Sequence, residues 1–514
     1  MTAAWSRELD EGGVVRLAEV LALKLRHGDV IALQGDLGAG KTTLARALIG
    51  AVLREGAGEV PSPTFSLHQA YQGARLAIAH FDFYRLASAD EARELGFEDA
   101  VENGAVLVEW PERARALLPS NRFEIALAET GDSARRDVTL RGFGACASRA
   151  RRVGEILGFL EPLAAWRDTR VAFLHGDAST RAYARLVGSG SGALLMDAPR
   201  QPDGPPIRDG KPYSQIAHLA EDMVFAFHAI APALSAAGLS VPKIHAADLN
   251  KGLLLIEDLG DRVFSAEVAR GALPQEELWT AAVDALLALR QAPVPDRLPL
   301  PGGRAHVLPS YDHEALQIEI ELLIDWYWPA VHGAPVPADA RAEFLGLWND
   351  VFGRLARQSS GWVLRDFHSP NLLWLPERRG VARVGVIDFQ DAQRGPADYD
   401  LVSLLQDARV DVPAALEAKL LAYYCRQAAI AEPGFDEAGF RYAYAALGAQ
   451  RNTKILGIFV RLSQRDGKPQ YLAHLPRIWG YLGRDLSNPE LAALAAWYDR
   501  HFPPATRGHS LGTR

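Results

Sequence analysis

Residues 363–391 read VLRDFHSPNLLWLPERRGVARVGVIDFQD, two short apolar runs that each deliver an acid, Asp366 and Asp388, with Asn371 five positions after the first. Two carboxylates and an amide at these separations suit phosphoryl transfer from a nucleotide. Asp366 would orient or deprotonate an acceptor hydroxyl, while Asn371 and Asp388 would hold magnesium. The roles are divided because magnesium is a hard cation that takes oxygen ligands and is held by few of them while it bridges phosphates. A single aspartate cannot serve both. His368, two residues after Asp366, is expected to brace its loop rather than transfer a proton.

A second phosphate signature lies near the start. Residues 29–35 (DVIALQG) form an apolar run suited to a buried strand, and DLGAGKTTLARALIG after it opens a helix. Gly35, Gly40, Lys41 and Thr42 satisfy GxxxxGK[ST], and Gly38 within the same turn is expected to face the nucleotide as well. Glycines there let backbone N–H groups face phosphate oxygens, and the helix N-terminus adds positive potential. Lys41 would reach the β and γ phosphates of ATP, Thr42 would give a hydroxyl to magnesium, and Thr43 would touch the α phosphate. Downstream, PSPTFSLHQAY places Thr64 on a loop fit to sense the γ phosphate. Asp82 ends one apolar strand, and Glu109 with Trp110 ends another. Strand-end acids of this kind order magnesium and water.

These two signatures must be carried by more than one domain, since 514 residues exceed an ordinary single core. Composition is that of a globular chain, with 48 % hydrophobic and 23 % charged residues. The net charge of -8 is spread evenly, so neither part is a basic platform for nucleic acid. Cys146 and Cys425 stand alone, without the spacing of a disulfide framework or a zinc site, which fits the cytoplasm. The first residues carry acids where a leader would be apolar, and no run approaches a membrane span.

We expect residues 1–147 to form an α/β P-loop NTPase domain, 148–168 a connecting helix docked by Val153, Ile156, Leu157 and Leu160, and the remainder an α+β bilobal domain. In the latter, 169–260 form a small lobe and 261–514 a helical lobe. The loop with Gly176, Asp177, Ala178 and Ser179 would cover ATP phosphates between two strands. A helix is expected over 216–236. Residues Glu257 to Leu259, within LLLIEDLGD, would hold adenine through the backbone. The strand LLMDAPR has Asp197 about where a phosphate-pairing lysine belongs, so Arg181 or Arg200 is expected to substitute. Trp326, Tyr327 and Trp328 form either a sugar-stacking face or a packed cluster. Asp398 and Asp400 are expected to anchor the catalytic loop.

Together GDLGAGKTT, SPTFSL, HFDFYRL, GFEDA and LVEWPER resemble the ATPase subunit of the bacterial machinery that makes threonylcarbamoyladenosine on tRNA, over nearly all of 5–142. The resemblance implies an ATPase that associates with the other protein subunits of that complex. Asp82 and Glu109 would assist magnesium and hydrolysis, Thr64 would belong to a switch loop, and tRNA would be met only indirectly. From about 165 to 500, GDASTRAY, LLMDAP, LLIEDLGD, LRDFHSPNLLWL, GVIDFQDAQRG and RNTKILGIF resemble the anomeric sugar kinases for N-acetylmuramate and N-acetylglucosamine, within the aminoglycoside phosphotransferase superfamily. That family shares LMDAP. It implies transfer of the γ phosphate of ATP to the C1 hydroxyl of an N-acetylated amino sugar in cell-wall recycling, with Asp366 as base. The alternatives are an aminoglycoside phosphotransferase and a non-catalytic nucleotide-binding module.

Overall fold

A computed structural model describes residues 3–53, 63–174, 181–188 and 192–507. The chain divides into two compact units, one of residues 1–199 with 244–258, the other of 200–243 with 259–514.

The first unit opens with strand β1 (Ala3–Leu9), helix α1 (Glu11–Ala22), β2 (Val30–Gln34) and α2 (Lys41–Leu53). Asp10 caps α1, its Oδ1 accepting from the Gly13 N–H at 2.8 Å. Then come β3 (His68–Tyr71), β4 (Ile78–Asp82), α3 (Ala89–Glu94), α4 (Phe97–Asn103), β5 (Ala105–Glu109), β6 (Arg122–Glu129), β7 (Arg136–Phe143) and α5 (Cys146–Leu160). The strands form one sheet in the order β1-β7-β6-β2-β5-β4-β3. Its centre, β6, β2, β5 and β4, is parallel. Strands β2, β4 and β5 are near-continuous apolar runs because helices and connections cover both faces. Parallel strands end on the same side, so the loop after β2 and the acids ending β4 and β5 converge.

The chain continues as β8 (Arg170–Leu174), β9 (Ala182–Val187) and β10 (Ala193–Asp197). Residues 200–243, in the second unit, carry the short strands β11 (Pro206–Arg208) and β12 (Lys211–Pro212) and the helices α6 (Tyr213–Ile216) and α7 (Met223–Ala236). The first unit resumes with β13 (Ile244–Asp248) and β14 (Leu253–Glu257), completing an antiparallel sheet β13-β14-β10-β9-β8. One apolar core joins α1, α2 and α5 to Val171, Ala184, Leu186, Leu195 and Leu255 of that sheet. The expected apolar face of the connecting helix is buried in it: Val153, Ile156, Leu157 and Leu160. Gly176, Asp177, Ala178 and Ser179, proposed to cover phosphates, lie outside the described residues.

The expected helix over 216–236 is broken. His218 adopts a left-handed backbone (φ 51°), and its carbonyl and that of Ala217 accept from Gln393 Nε2 at 2.9 and 3.0 Å. Those tertiary bonds take carbonyls that a helix would use itself.

The rest of the second unit is mainly helical: α8 (Phe264–Ala269), α9 (Gln275–Arg290), a hairpin β15 (Arg297–Pro299) and β16 (Ala305–Val307), then α10 (His313–Leu322), α11 (Trp328–His332) and α12 (Ala338–Leu355). Two short antiparallel pairs follow, β17 (Ser360–Val363) with β20 (Gln393–Pro396) and β18 (Leu372–Trp374) with β19 (Val384–Val386). Helices α13 (Tyr399–Leu405), α14 (Ala414–Ala431), α15 (Glu437–Asp466), α16 (Leu475–Asp485) and α17 (Ala492–His501) complete it. Of the aromatic triplet, Tyr327 and Trp328 are buried and pack with Trp479, Trp497 and Phe502, so this cluster is core. Tyr327 Oη accepts from Trp479 Nε1 at 2.8 Å, which satisfies both polar groups.

Candidate active sites

The loop between β2 and α2 turns sharply, and Gly35 makes that possible. Its φ is 144°, and a Cβ there would lie 2.4 Å from the Leu127 carbonyl oxygen. Gly38, Gly40, Lys41, Thr42, Thr43, Thr64, Asp82, Glu109 and Trp110 line a cavity of about 330 Å³ with Leu37 and Tyr84. Thus nine of the expected residues meet at one place, with Gly35 shaping the loop behind them. Lys41 Nζ donates to the carbonyls of Gly35 and Asp36, both at 2.8 Å, and stands 3.9 Å from the centre of the Trp110 ring. Burial lowers its pKa, against the pull of Glu109, Glu112, Asp82 and Asp36. Thr42 Oγ1 is 3.3 Å from both Glu109 oxygens, and Thr64 Oγ1 donates to Asp82 at 3.0 Å. His80 was not singled out by motif. It is fully buried, with Nε2 3.1 Å from Glu109 Oε1, and so fixes that carboxylate.

In the second unit, Asp366, Asn371 and Asp388 are gathered by the loops flanking β18 and β19. Asn371 Nδ2 donates to the Asp366 carbonyl at 3.1 Å and lies 3.4 Å from Asp388 Oδ2. Gln390 Nε2 donates to Asp388 Oδ1 at 2.8 Å. Arg365 and Asp388 both take left-handed backbones, φ 70° and 63°, a strain of order 1–3 kcal/mol each that the surrounding bonds must hold. Asp400 accepts from the N–H groups of Leu364 and Arg365 at 2.6 and 3.0 Å, which places it as the anchor of the catalytic loop. Asp398 pairs with Arg290 at 3.1 Å.

Arg365 is buried and held by Glu319, which also accepts from Lys454 Nζ at 2.8 Å, Gln450 Nε2 at 3.0 Å and Tyr311 Oη at 2.5 Å. Lys454, on α15, thus helps to neutralise the carboxylate that locks the residue before Asp366. Burial pushes Glu319 up, but Lys454 and Arg365 more than offset it, down to about 2. The Asp366 side chain keeps 48 % of its exposure. Its setting disfavours the charge, yet His368, Lys454, Arg365 and Arg451 hold it below the ordinary aspartate value, so it is ionised near neutrality. His368 Nε2 accepts from Arg409 at 3.2 Å and is 3.9 Å from Asp366 Oδ1. Burial lowers its pKa, which favours a neutral, bracing ring.

Other expected residues fall elsewhere. Glu257 ends β14, and Leu259 packs with Leu373 and Leu375. Arg200 pairs with Glu221 at 3.2 Å on the surface. Asp197, at the place expected for a lysine, is buried and bound by Lys24 and by Arg152 Nη2 at 2.6 Å. Its part is structural. Arg181 lies in the described segment just before β9.

Among the described residues no three His, Cys, Asp or Glu side chains gather as a metal cage. Both sites instead offer one or two oxygen donors, Asp388 with Asn371 and Glu109 with Thr42, a set that fits magnesium shared with phosphate.

A P-loop sheet in one unit and an Asp-Asn-Asp constellation in the other fit the class of nucleotide-dependent phosphoryl-transfer proteins. Residues 170–440 match the phosphotransferase enzyme family, and the chain belongs to it. Residues 10–138 match the family described as threonylcarbamoyl adenosine biosynthesis protein TsaE, so the chain is a fusion of the two. An N-acetylmuramate/N-acetylglucosamine kinase of Caulobacter vibrioides is 41 % identical over 348 residues, 66 % of this chain and 94 % of its own. A tRNA threonylcarbamoyladenosine biosynthesis protein TsaE of Rickettsia conorii is 42 % identical over 112 residues, 22 % of this chain and 63 % of its own. That of Rickettsia prowazekii is 39 % identical over 110 residues, covering 21 % and 76 %.

Proposed function

We propose that the phosphotransferase part transfers the γ phosphate of ATP to the C1 hydroxyl of N-acetylmuramate or N-acetylglucosamine. The observation that carries this reading is the convergence of Asp366, Asn371 and Asp388 in a chain two-fifths identical to a kinase named for those sugars. Asp366 accepts the proton of the C1 hydroxyl, the freed oxygen bonds to the γ phosphorus, and the bond from that phosphorus to the β–γ bridging oxygen breaks, leaving ADP and the sugar 1-phosphate. Asn371 and Asp388 hold magnesium, which when bound neutralises phosphate charge. The backbone near Glu257 and Leu259 holds adenine, and Asp177, Ser179 and Arg181 serve the phosphates.

Residues 1–147 hydrolyse ATP in support of threonylcarbamoyladenosine formation on tRNA, working with the other subunits of that machinery, which hold the tRNA. Lys41, Thr42 and Thr43 grip the nucleotide, Thr42 and Glu109 hold magnesium, Asp82 and Glu109 assist hydrolysis, and Thr64 and Trp110 close the cavity. Both activities belong to the cytoplasm, and among the described residues no helix is long and apolar enough to cross a membrane.

Phosphate transfer by the full-length protein, measured on both N-acetylated sugars and on a panel of aminoglycosides, tests the kinase assignment. Turnover on the sugars, lost at least hundredfold in Asp366→Asn, is expected from removal of a general base. Turnover on aminoglycosides alone would overturn it.

A further inference from the structure

Three strands of the five-stranded sheet take fixed points from helices outside it. On β10, Asp197 is 4 % exposed, and its carboxylate is held by Lys24, just past α1, and by Arg152 of α5, whose Nε and Nη2 donate to Oδ1 at 2.9 and 2.6 Å. The same guanidinium donates to the carbonyls of Lys251 and Gly252 at 2.6 and 3.2 Å, in the turn that opens β14. That turn lies tight against the residue after Asp197. The Ala198 N–H donates to Gly252 O at 3.0 Å, and a Cβ at Gly252 would stand 2.4 Å from the Ala198 oxygen. Arg152 thus clamps the end of β10 to the start of β14. On β8, at the edge of the sheet, the Val171 N–H donates to Glu19 of α1 at 2.8 Å. The Phe173 ring of the same strand lies 4.9 Å from the Arg75 guanidinium, which donates to Leu25 O at 2.7 Å and Ala22 O at 2.6 Å at the end of α1.

These bonds do more than fill space. A buried carboxylate has to be paired and hydrogen-bonded, and Lys24 and Arg152 both reach Asp197 from outside its sheet. Charged hydrogen bonds with a planar fork add geometric specificity to the shared apolar core, so they fix where the strands lie as well as that they pack. The clamp stands at one end of β14, and the backbone of Glu257 to Leu259 proposed to hold adenine stands at the other. Between them β14 is paired on both sides, with β10 and β13. Asp258, just past it, is tied back by Arg185 at 2.5 Å. A strand bonded on both sides moves as a unit, so a shift at the clamp is carried along β14 to that backbone.

We propose that the P-loop part, with α5 docked on it, has a second and non-catalytic role: through Lys24 and Arg152 it positions the small-lobe sheet, and with it the backbone that holds the adenine of the kinase's ATP. This rests on the sugar-kinase reading. Lys24 and Arg152 are then positioning residues for sugar phosphorylation, supplied by the half of the chain that carries the other phosphate site.

The test is steady-state kinetics of the full-length protein with ATP and N-acetylglucosamine varied separately, in wild type, Lys24→Met, Arg152→Ala and Arg152→Lys. Sugar phosphate is followed, so that hydrolysis at the P-loop does not enter. Each protein is assayed well below its thermal midpoint, and Lys24→Met and Arg152→Lys, which keep side-chain bulk, stand in if Arg152→Ala does not fold. The expected result is a KM for ATP raised at least fivefold in Lys24→Met and Arg152→Ala, with the KM for N-acetylglucosamine within twofold of wild type. Arg152→Lys, which keeps the charge and loses the fork, is expected between wild type and Arg152→Ala. A KM for ATP within twofold of wild type in every variant that folds, or equal rises in both KM values, would overturn the positioning role while leaving the kinase reading intact. Absence of turnover by wild type on N-acetylglucosamine and N-acetylmuramate alike would overturn both.

Discussion

Asp366, the proposed base, follows a residue that is held by a buried network of its own. Glu319 is the centre of that network, since it binds Arg365, Lys454, Gln450 and Tyr311 at once beneath the catalytic loop. Its folded pKa lies below its unfolded value, so its contribution to stability is complete above about 4.5 and is lost as the pH falls toward 2. Acid titration of the wild-type thermal midpoint is expected to show that loss, worth about 3 kcal/mol at most. In Glu319→Gln the buried Arg365 and Lys454 lose their counter-charge, which costs about 3–5 kcal/mol at neutral pH. That variant should also show a flatter stability profile between pH 4.5 and 2. At this scale the sequence was legible where a motif fixes spacing, as for Lys41, Thr42, Asp366 and Asn371. It was silent on Glu319 and His80, because a buried partner brought in from 46 or 29 residues away leaves no local pattern.

Among the elements, the parallel strands were readable because burial on both faces demands unbroken apolar runs, and the turn after β2 because only glycine fits Gly35. Gly35→Ala places a methyl group against the Leu127 carbonyl. It is expected to reduce sugar-independent ATP hydrolysis at least tenfold while sugar phosphorylation stays within twofold, both measured by ADP release. Two readings at this scale failed or stayed open for physical reasons. The helix expected over 216–236 starts only at Met223, because carbonyls 217 and 218 are claimed by Gln393 and those tertiary bonds break the run. Aromatic faces at Tyr327 and Trp328 suit sugar stacking and core packing equally in sequence, and only their burial against Trp497 and Phe502 decides for the core.

At the scale of the whole molecule, the first compact unit contains the P-loop sheet and the five-stranded sheet together, sharing one apolar core. Polar bonds stitch the same join. Arg16 Nη2 donates to the carbonyls of Trp166, Arg167 and Thr169 at 2.9, 2.7 and 2.6 Å, and Glu19 accepts from the Val171 N–H at 2.8 Å. Asp197, buried on β10, depends on Lys24 and Arg152 for its counter-charge. Arg152→Ala is therefore expected to cost at least about 2 kcal/mol, read by chemical denaturation of the full chain. No local pattern signals this dependence, since by position Asp197 stands about where a phosphate-pairing lysine belongs and its partners come from 173 and 45 residues away. Sharing a core does not require sharing a reaction. Parallel assays of sugar phosphorylation and sugar-independent ATP hydrolysis in Lys41→Ala and Asp366→Asn address that most directly. Each variant is expected to lose one activity at least hundredfold and keep the other within twofold, Lys41→Ala losing hydrolysis and Asp366→Asn losing phosphorylation. Loss of sugar phosphorylation in Lys41→Ala would contradict the account of two separate phosphate sites.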